Sequence, residues 1–301
     1  RSTPKPSSAA SDVYKRQLLT LLFGYPMSNL RINKLDQSSG LYTKGNTHYS
    51  VSGSEGPYLV FIHGVGLSKE IWKPQVDYFS PKYRVVTYDF LGHGLSPSPR
   101  SAPKIDDYVE QLNELIDSLN ISTFSLIGHS MGAIISVAYS LKYPNKINAL
   151  IPLNIVYKRS ANARKEVLDR ANMVLRKGEI GNIEQTMRRW FKNKTGATYS
   201  NKIDKVRQLL SDARPKGYGA AYKLFAESDY IFENMLNKLR APVLYLTGSD
   251  DPNSNSRMSQ EMAHDTPGGL SKSIDNEAHM MAFISPDKIN PIIEDFLQEN
   301  E

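Results

Sequence analysis

The sequence contains no cysteine. Its absence excludes disulfides, thiolate metal sites and a cysteine nucleophile, and it fits a reducing compartment, so a cytoplasmic protein is the expectation. No apolar run comes near the ~18 residues that a spanning helix requires, so no membrane span is expected. Blocks of one charge are also missing. Lys and Arg number 37 against 31 Asp and Glu, leaving +6, and part of that excess lies at the start of the chain, where Arg1, Lys5, Lys15 and Arg16 face Asp12 alone. Later basic residues, including Lys142, Lys146, Lys158, Arg159, Arg188 and Arg189, are interspersed with acids and apolar residues. Such a distribution reads as a solvated surface, and no nucleic-acid partner is expected.

What is present suits a globular domain. The 301 residues are 40% hydrophobic, enough for one domain or one domain with an insertion. Residues 1–17 are rich in Ser and Pro without amphipathic period, and Ser8–Gln17 resembles translated adapter read-through. Residues 1–26 are therefore expected to be a disordered tail or a read-through artefact ahead of Met27. The run Leu18–Phe23 is short for a signal-peptide core, and no small-residue cleavage site follows it.

Continuous apolar runs at 58–62, 84–88, 124–127, 149–153 and 242–246 predict strands buried on both faces. A shorter strand is expected at 272–274, and a hairpin at 40–53 turning at Gly45-Asn46. Amphipathic stretches at 106–119, 133–143 and 286–297 predict helices, the last beginning with Pro286. This alternation predicts an α/β fold with a mostly parallel sheet flanked by helices. From 157 to 240 only helical stripes occur, so a helical cap insertion is expected there, with 27–156 and 241–301 forming the core.

The strongest motif is Gly128-His129-Ser130-Met131-Gly132, between a strand and a helix. A serine on so tight a turn lifts its hydroxyl out of the sheet, and the residues two before and two after must lack side chains. Ser130 is the candidate nucleophile. It needs a base, and His279, in a late loop before the last helix, is the candidate. His63 and His93 precede glycines and are expected to shape their loops, His129 to pack on the serine turn, and His48 and His264 to lie at the surface. The base needs a carboxylate. Asp250 and Asp251 follow the strand at 242–246 and compete for that role, the other capping or pairing locally; Asn154, after the preceding strand, is not a carboxylate. Gly64 and Gly66 let the backbone after the first buried strand turn its amides inward, so the N–H groups of Val65 and Met131 are the expected oxyanion donors.

Together these motifs resemble the α/β-hydrolase superfamily over roughly residues 40–298. His63-Gly64 matches its oxyanion motif, Asp89-Phe90-Leu91-Gly92-His93-Gly94-Leu95-Ser96 its Asp-x-x-Gly-x-Gly-x-Ser loop, and Ala278-His279-Met280 its histidine block, with alanine where glycine is common. In Gly-x-x-Asp-Pro the resemblance selects Asp251. Arg189-Trp190-Phe191 with Gly217–Tyr222 resembles the cap of 3-oxoadipate enol-lactonase-like hydrolases, which implies Trp190 as an acyl-pocket wall and Arg188 or Arg189 as an anion contact. The implied activity is a serine hydrolase cleaving carboxylic esters or small lactones through an acyl-enzyme, without metal or cofactor, acting on a small molecule as a monomer or homodimer. The alternatives are a thioesterase or carbon–carbon hydrolase of the same fold, a slow-turnover ligand receptor, and a scaffold with an inert triad.

Overall fold

The computed structural model describes residues 40–99, 102–192 and 194–300; the reading of residues 1–26 lies outside them. The described chain opens with a hairpin, β1 (Leu41–Tyr42) and β2 (His48–Ser52), turned at Asn46 with φ 64°. β3 (Tyr58–Ile62), α1 (Lys73–Phe79), β4 (Arg84–Tyr88) and α2 (Ile105–Ser118) follow. Then come β5 (Phe124–His129), α3 (Met131–Lys142) and β6 (Ile147–Leu153). After an insertion the chain resumes with β7 (Leu244–Gly248), α8 (Ser256–Asp265), β8 (Leu270–Ile274), α9 (Met281–Ile284) and α10 (Pro286–Gln298).

One eight-stranded sheet runs β1-β2-β4-β3-β5-β6-β7-β8. β1 and β2 are antiparallel, and β4 onward is parallel. The inner parallel strands read as apolar runs because both faces are covered: residues 59–62 of β3 and all of β5 are buried, whereas the edge strand β8 is exposed at 270–273. α2 turns Tyr108, Val109, Leu112, Leu115 and Ile116 inward, whereas α3 is apolar on almost every side and sits in the core. Strand order reverses at β3 and β5, which open a crevice at their carboxyl ends. The segments following β3, β5, β6, β7 and β8 all leave from that rim.

Between β6 and β7 the chain is helical: α4 (Ala161–Lys177), α5 (Ile183–Phe191), α6 (Ala197–Asp212) and α7 (Pro215–Glu227). Ser160 caps α4 by accepting from Ala163 N–H, Asn182 caps α5, and Gly178 ends α4 at φ 69°. The neck is fastened by a buried bidentate pair, Arg159 Nε to Asp229 Oδ1 at 2.7 Å and Nη2 to Oδ2 at 2.8 Å. No helix among the described residues is long and apolar enough to cross a membrane.

Candidate active site

Ser130 is the single residue between β5 and α3. It stands at φ 56°, ψ −113°, a conformation that costs a non-glycine residue about 1–3 kcal/mol. The surroundings enforce it. A Cβ at Gly128 would collide with the carbonyl of Gly132, and one at Gly132 with the carbonyl of Ile62. Ser130 N–H is anchored to Leu153 O at 2.9 Å, while its carbonyl starts α3 by accepting from Ala133 and Ile134.

Asp251 leaves the end of β7. Gly248 makes that possible, since a Cβ there would strike the carbonyl of Glu277 in the histidine loop. Asp251 is buried; its Oδ2 accepts from His279 Nδ1 at 2.7 Å and from Asn154 Nδ2 at 2.8 Å. Its Oδ1 accepts from the amides of Asn253 and Ser254 at 2.8 and 3.2 Å. Burial pushes this carboxyl up, but the His279 ring, by charge and hydrogen bond, with Asn253 and Asn154, holds it below the ordinary carboxylate range. An ionised carboxylate only accepts, so His279 carries its proton on Nδ1 and leaves Nε2 as an acceptor. The neighbouring Asp250 is half-exposed and, among the described residues, its carboxylate makes no hydrogen bond or ion pair, contrary to the capping or pairing expected of it. Among the described residues no hydrogen bond joins the Ser130 hydroxyl to His279, although the two line one cavity.

Asn154 is the residue whose part the sequence reading missed. It follows β6 at φ 50°, is fully buried, and braces the same carboxylate oxygen that holds the imidazole. His129 braces the histidine loop by donating from Nε2 to His279 O at 2.8 Å; burial, with His279 nearby, pulls it to about 3, so its ring is neutral.

On the other side of Ser130, Gly64 lies so close that a Cβ there would stand 3.2 Å from the serine Cβ. Among the described residues the N–H groups of Val65 and Met131 have no protein acceptor. The loop is held from behind: His63 donates from Nδ1 to Gly64 O at 2.8 Å and accepts on Nε2 from Phe90 N–H at 3.2 Å. Burial pulls His63 down to about 4. Beside it, buried Asp89 accepts from Lys69 N–H at 2.7 Å, Leu95 N–H at 3.1 Å and His48 Nδ1 at 2.6 Å. The surface position expected for His48 is thus wrong. The residue is 6% exposed, because β2 is an interior strand paired with β4 and its first residue abuts Asp89. His264 is solvent-exposed, as expected, beside Asp265.

The insertion lines the crevice. Val65, Ser130, His279, Arg189, Trp190 and Tyr218 are among the residues lining a cavity of about 30 Å³, where a water centre needs about 10–15 Å³. The Trp190 ring lies 5.4 Å from the His279 ring, tilted 35° to it. Arg189 reaches the cavity and Arg188 does not; Arg189 bonds Thr186 Oγ1 at 3.2 Å, its Nε is buried without a partner, and among the described residues it has no carboxylate partner. Tyr218 lays its ring on Gly66 of the loop after β3. A groove of about 520 Å³ adjoins the cavity, sharing Val167, Arg189 and Asn253 with it. Among the described residues no group of histidines and carboxylates is arranged to hold a metal ion.

A family model described as the alpha/beta hydrolase fold matches residues 57–286. The chain belongs to the α/β hydrolases. This hydrolase is 38% identical over 253 residues to the (E)-2-((N-methylformamido)methylene)succinate hydrolase of Acinetobacter baylyi, covering 83% of this chain and 94% of the relative. It is 27% identical over 206 residues to 3-oxoadipate enol-lactonase 2 of the same species, covering 68% and 76%. Among solved structures, the enol-lactonase from Burkholderia xenovorans has the same fold, with a TM-score of 0.76 at 21% identity over 86% of this chain and 100% of that one.

Proposed function

We propose that this α/β hydrolase is a serine hydrolase that cleaves an acyl bond in a small, carboxylate-bearing substrate. The observation that carries the reading is the convergence of Ser130, His279 and Arg189 on one cavity. Ser130 Oγ attacks the carbonyl carbon while His279 Nε2 takes the hydroxyl proton, with Asp251 holding the ring and stabilising its cation. The tetrahedral oxygen receives the N–H groups of Val65 and Met131, each donor worth about 3 kcal/mol to the transition state. His279 then delivers its proton to the departing heteroatom. In the second half it takes a proton from water, whose oxygen attacks the acyl carbon; the bond to Ser130 Oγ then breaks as His279 returns the proton to that oxygen, freeing Ser130 and the carboxylic acid.

Residues 157–240 act as the cap in this reading, with Trp190 walling the acyl site and Arg189 receiving a substrate carboxylate. The names of the two relatives support such a substrate: one acts on a succinate, the other on an oxoadipate enol-lactone. They also widen the bond expected from the sequence, since a formamido group puts an N-acyl bond beside the lactone. The test compares a succinate-bearing N-formyl enamine and a carboxylated enol-lactone with their neutral methyl esters. The carboxylates are the preferred substrates, Ser130→Ala loses about 10⁴-fold or more in kcat, and Arg189→Met raises KM for the carboxylates about tenfold or more. Undiminished turnover by Ser130→Ala overturns the mechanism; equal KM values in Arg189→Met overturn the substrate class.

A further inference from the structure

Glu277 lies two residues before His279 and is completely buried. Nothing in the proposed chemistry uses it, and a carboxylate is costly to bury in a loop that an apolar residue could fill. Its partners come from two different parts of the fold. Oε1 accepts from Lys194 Nζ at 2.8 Å and from Lys288 Nζ at 2.9 Å, and Oε2 from Ser285 Oγ at 3.0 Å. Lys288 and Ser285 belong to the core, on and before α10. Lys194 belongs to the cap, at the corner between α5 and α6, with its side chain only 13% exposed.

Two further bonds join the helices flanking that corner, α5 and α6, to the stretch that follows His279. Met280 N–H donates to Trp190 O at 3.3 Å, and Lys202 Nζ donates to Ile284 O at 3.0 Å. α5, which leads into that corner, carries Trp190, whose ring stands 5.4 Å from the His279 imidazole. The cavity holds only about 30 Å³ of free space while these bonds are made, so a cap that gives way at this corner enlarges it. If Lys194 withdraws, Glu277 keeps Lys288 and Ser285, and the loop retains a satisfied carboxylate. The arrangement is therefore built to release one side without unfolding the other.

We infer that Glu277 and Lys194 form a releasable clasp by which closure of the cap positions His279, making Glu277 a positioning residue. The positioning half rests on His279 being the base; the clasp itself does not. The two lysines supply the contrast, since both bond the same oxygen and only Lys194 is in the cap. The protein has two tryptophans, Trp72 fully buried and Trp190 in the cap, so acrylamide quenching of the intact protein reads the cap. Lys194→Met is expected to raise the quenching constant about twofold or more and to lower kcat about tenfold, as a loosened catalytic geometry does. Lys288→Met stays within about twofold of the parent in both, and Lys194→Arg restores quenching and turnover together.

Equal effects from Lys194→Met and Lys288→Met would make the cluster purely structural and overturn the inference, as would parental quenching in Lys194→Met. Should Lys194→Met not fold, Glu277→Gln gives the same reading, because it keeps the hydrogen-bonding volume and weakens the hold on both lysines; parental quenching there also overturns the clasp. The quenching needs no substrate. An active Ser130→Ala sinks the proposed mechanism and leaves the clasp standing, whereas unchanged quenching sinks the clasp and leaves the mechanism standing.

Discussion

Asn154 shows how much a single amide can decide. Its Nδ2 donates to the Asp251 oxygen that also holds His279, and Asn and Asp alike tolerate its positive φ. Asn154→Asp therefore keeps backbone and volume and changes only charge. Two carboxylates within hydrogen-bond distance share a proton, so one of them titrates upward. The variant is expected to lose about tenfold in kcat/KM at neutral pH, with the acid limb of the pH–rate profile displaced to higher pH. An unmoved profile would reduce Asn154 to packing. Ser130 and His279 could be nominated from the sequence because each stands in a short motif whose glycine or neighbouring strand constrains it locally, whereas Asp251 was separated from Asp250 only by the family resemblance. Asn154 and His48 could not, because their roles depend on partners 97 and 41 positions away. A side chain that braces another residue's carboxylate leaves no mark in its own neighbourhood.

Elements differ in the same way. The inner parallel strands were legible because burial on both faces writes an unbroken apolar run, and α2 because fourteen residues give its stripe time to repeat. α1, with seven residues, is too short for a period to register. The insertion's helices show stripes, yet no stripe says what fastens them. That is the Arg159–Asp229 pair, joined by Arg159 N–H to Asp229 Oδ1 at 2.9 Å. Arg159→Met leaves a buried carboxylate without its cation, and urea unfolding is expected to show a loss of about 3–5 kcal/mol. A loss below about 1 kcal/mol would mean the neck is held by apolar packing instead.

At the scale of the whole molecule, burial has made three histidines neutral. His63 is pulled to about 4, and His93 and His129 to about 3, each chiefly by burial, from an ordinary 6.5. The unfolded chain takes up these protons as pH falls below about 6.5, while the native state does not until about 4 or lower. Stability therefore falls with pH across that window, by up to about 1.4 kcal/mol per pH unit for each histidine. Asp89 and Asp251 are both held below the ordinary range against the upward push of burial. Their stabilisation is complete above the unfolded carboxyl value and is lost below it, so they extend the decline to more acid pH. Urea midpoints measured from pH 7 to 4.5 are expected to drop steadily; a flat profile down to pH 5 would mean these rings are protonated in the native state. The fold class could be read from the strand–helix alternation, whereas this acid sensitivity could not, because it depends on how deeply the finished core encloses each imidazole.

The neck has one more consequence. Lys158 N–H donates to Asp229 O at 3.1 Å, so the two ends of the helical excursion touch where they leave the core. A segment whose ends meet can be lengthened, shortened or exchanged wholesale without disturbing the register of β6 beside β7. The scaffold can thus keep its chemistry at one rim and acquire a new appetite by trading a single contiguous stretch of polypeptide.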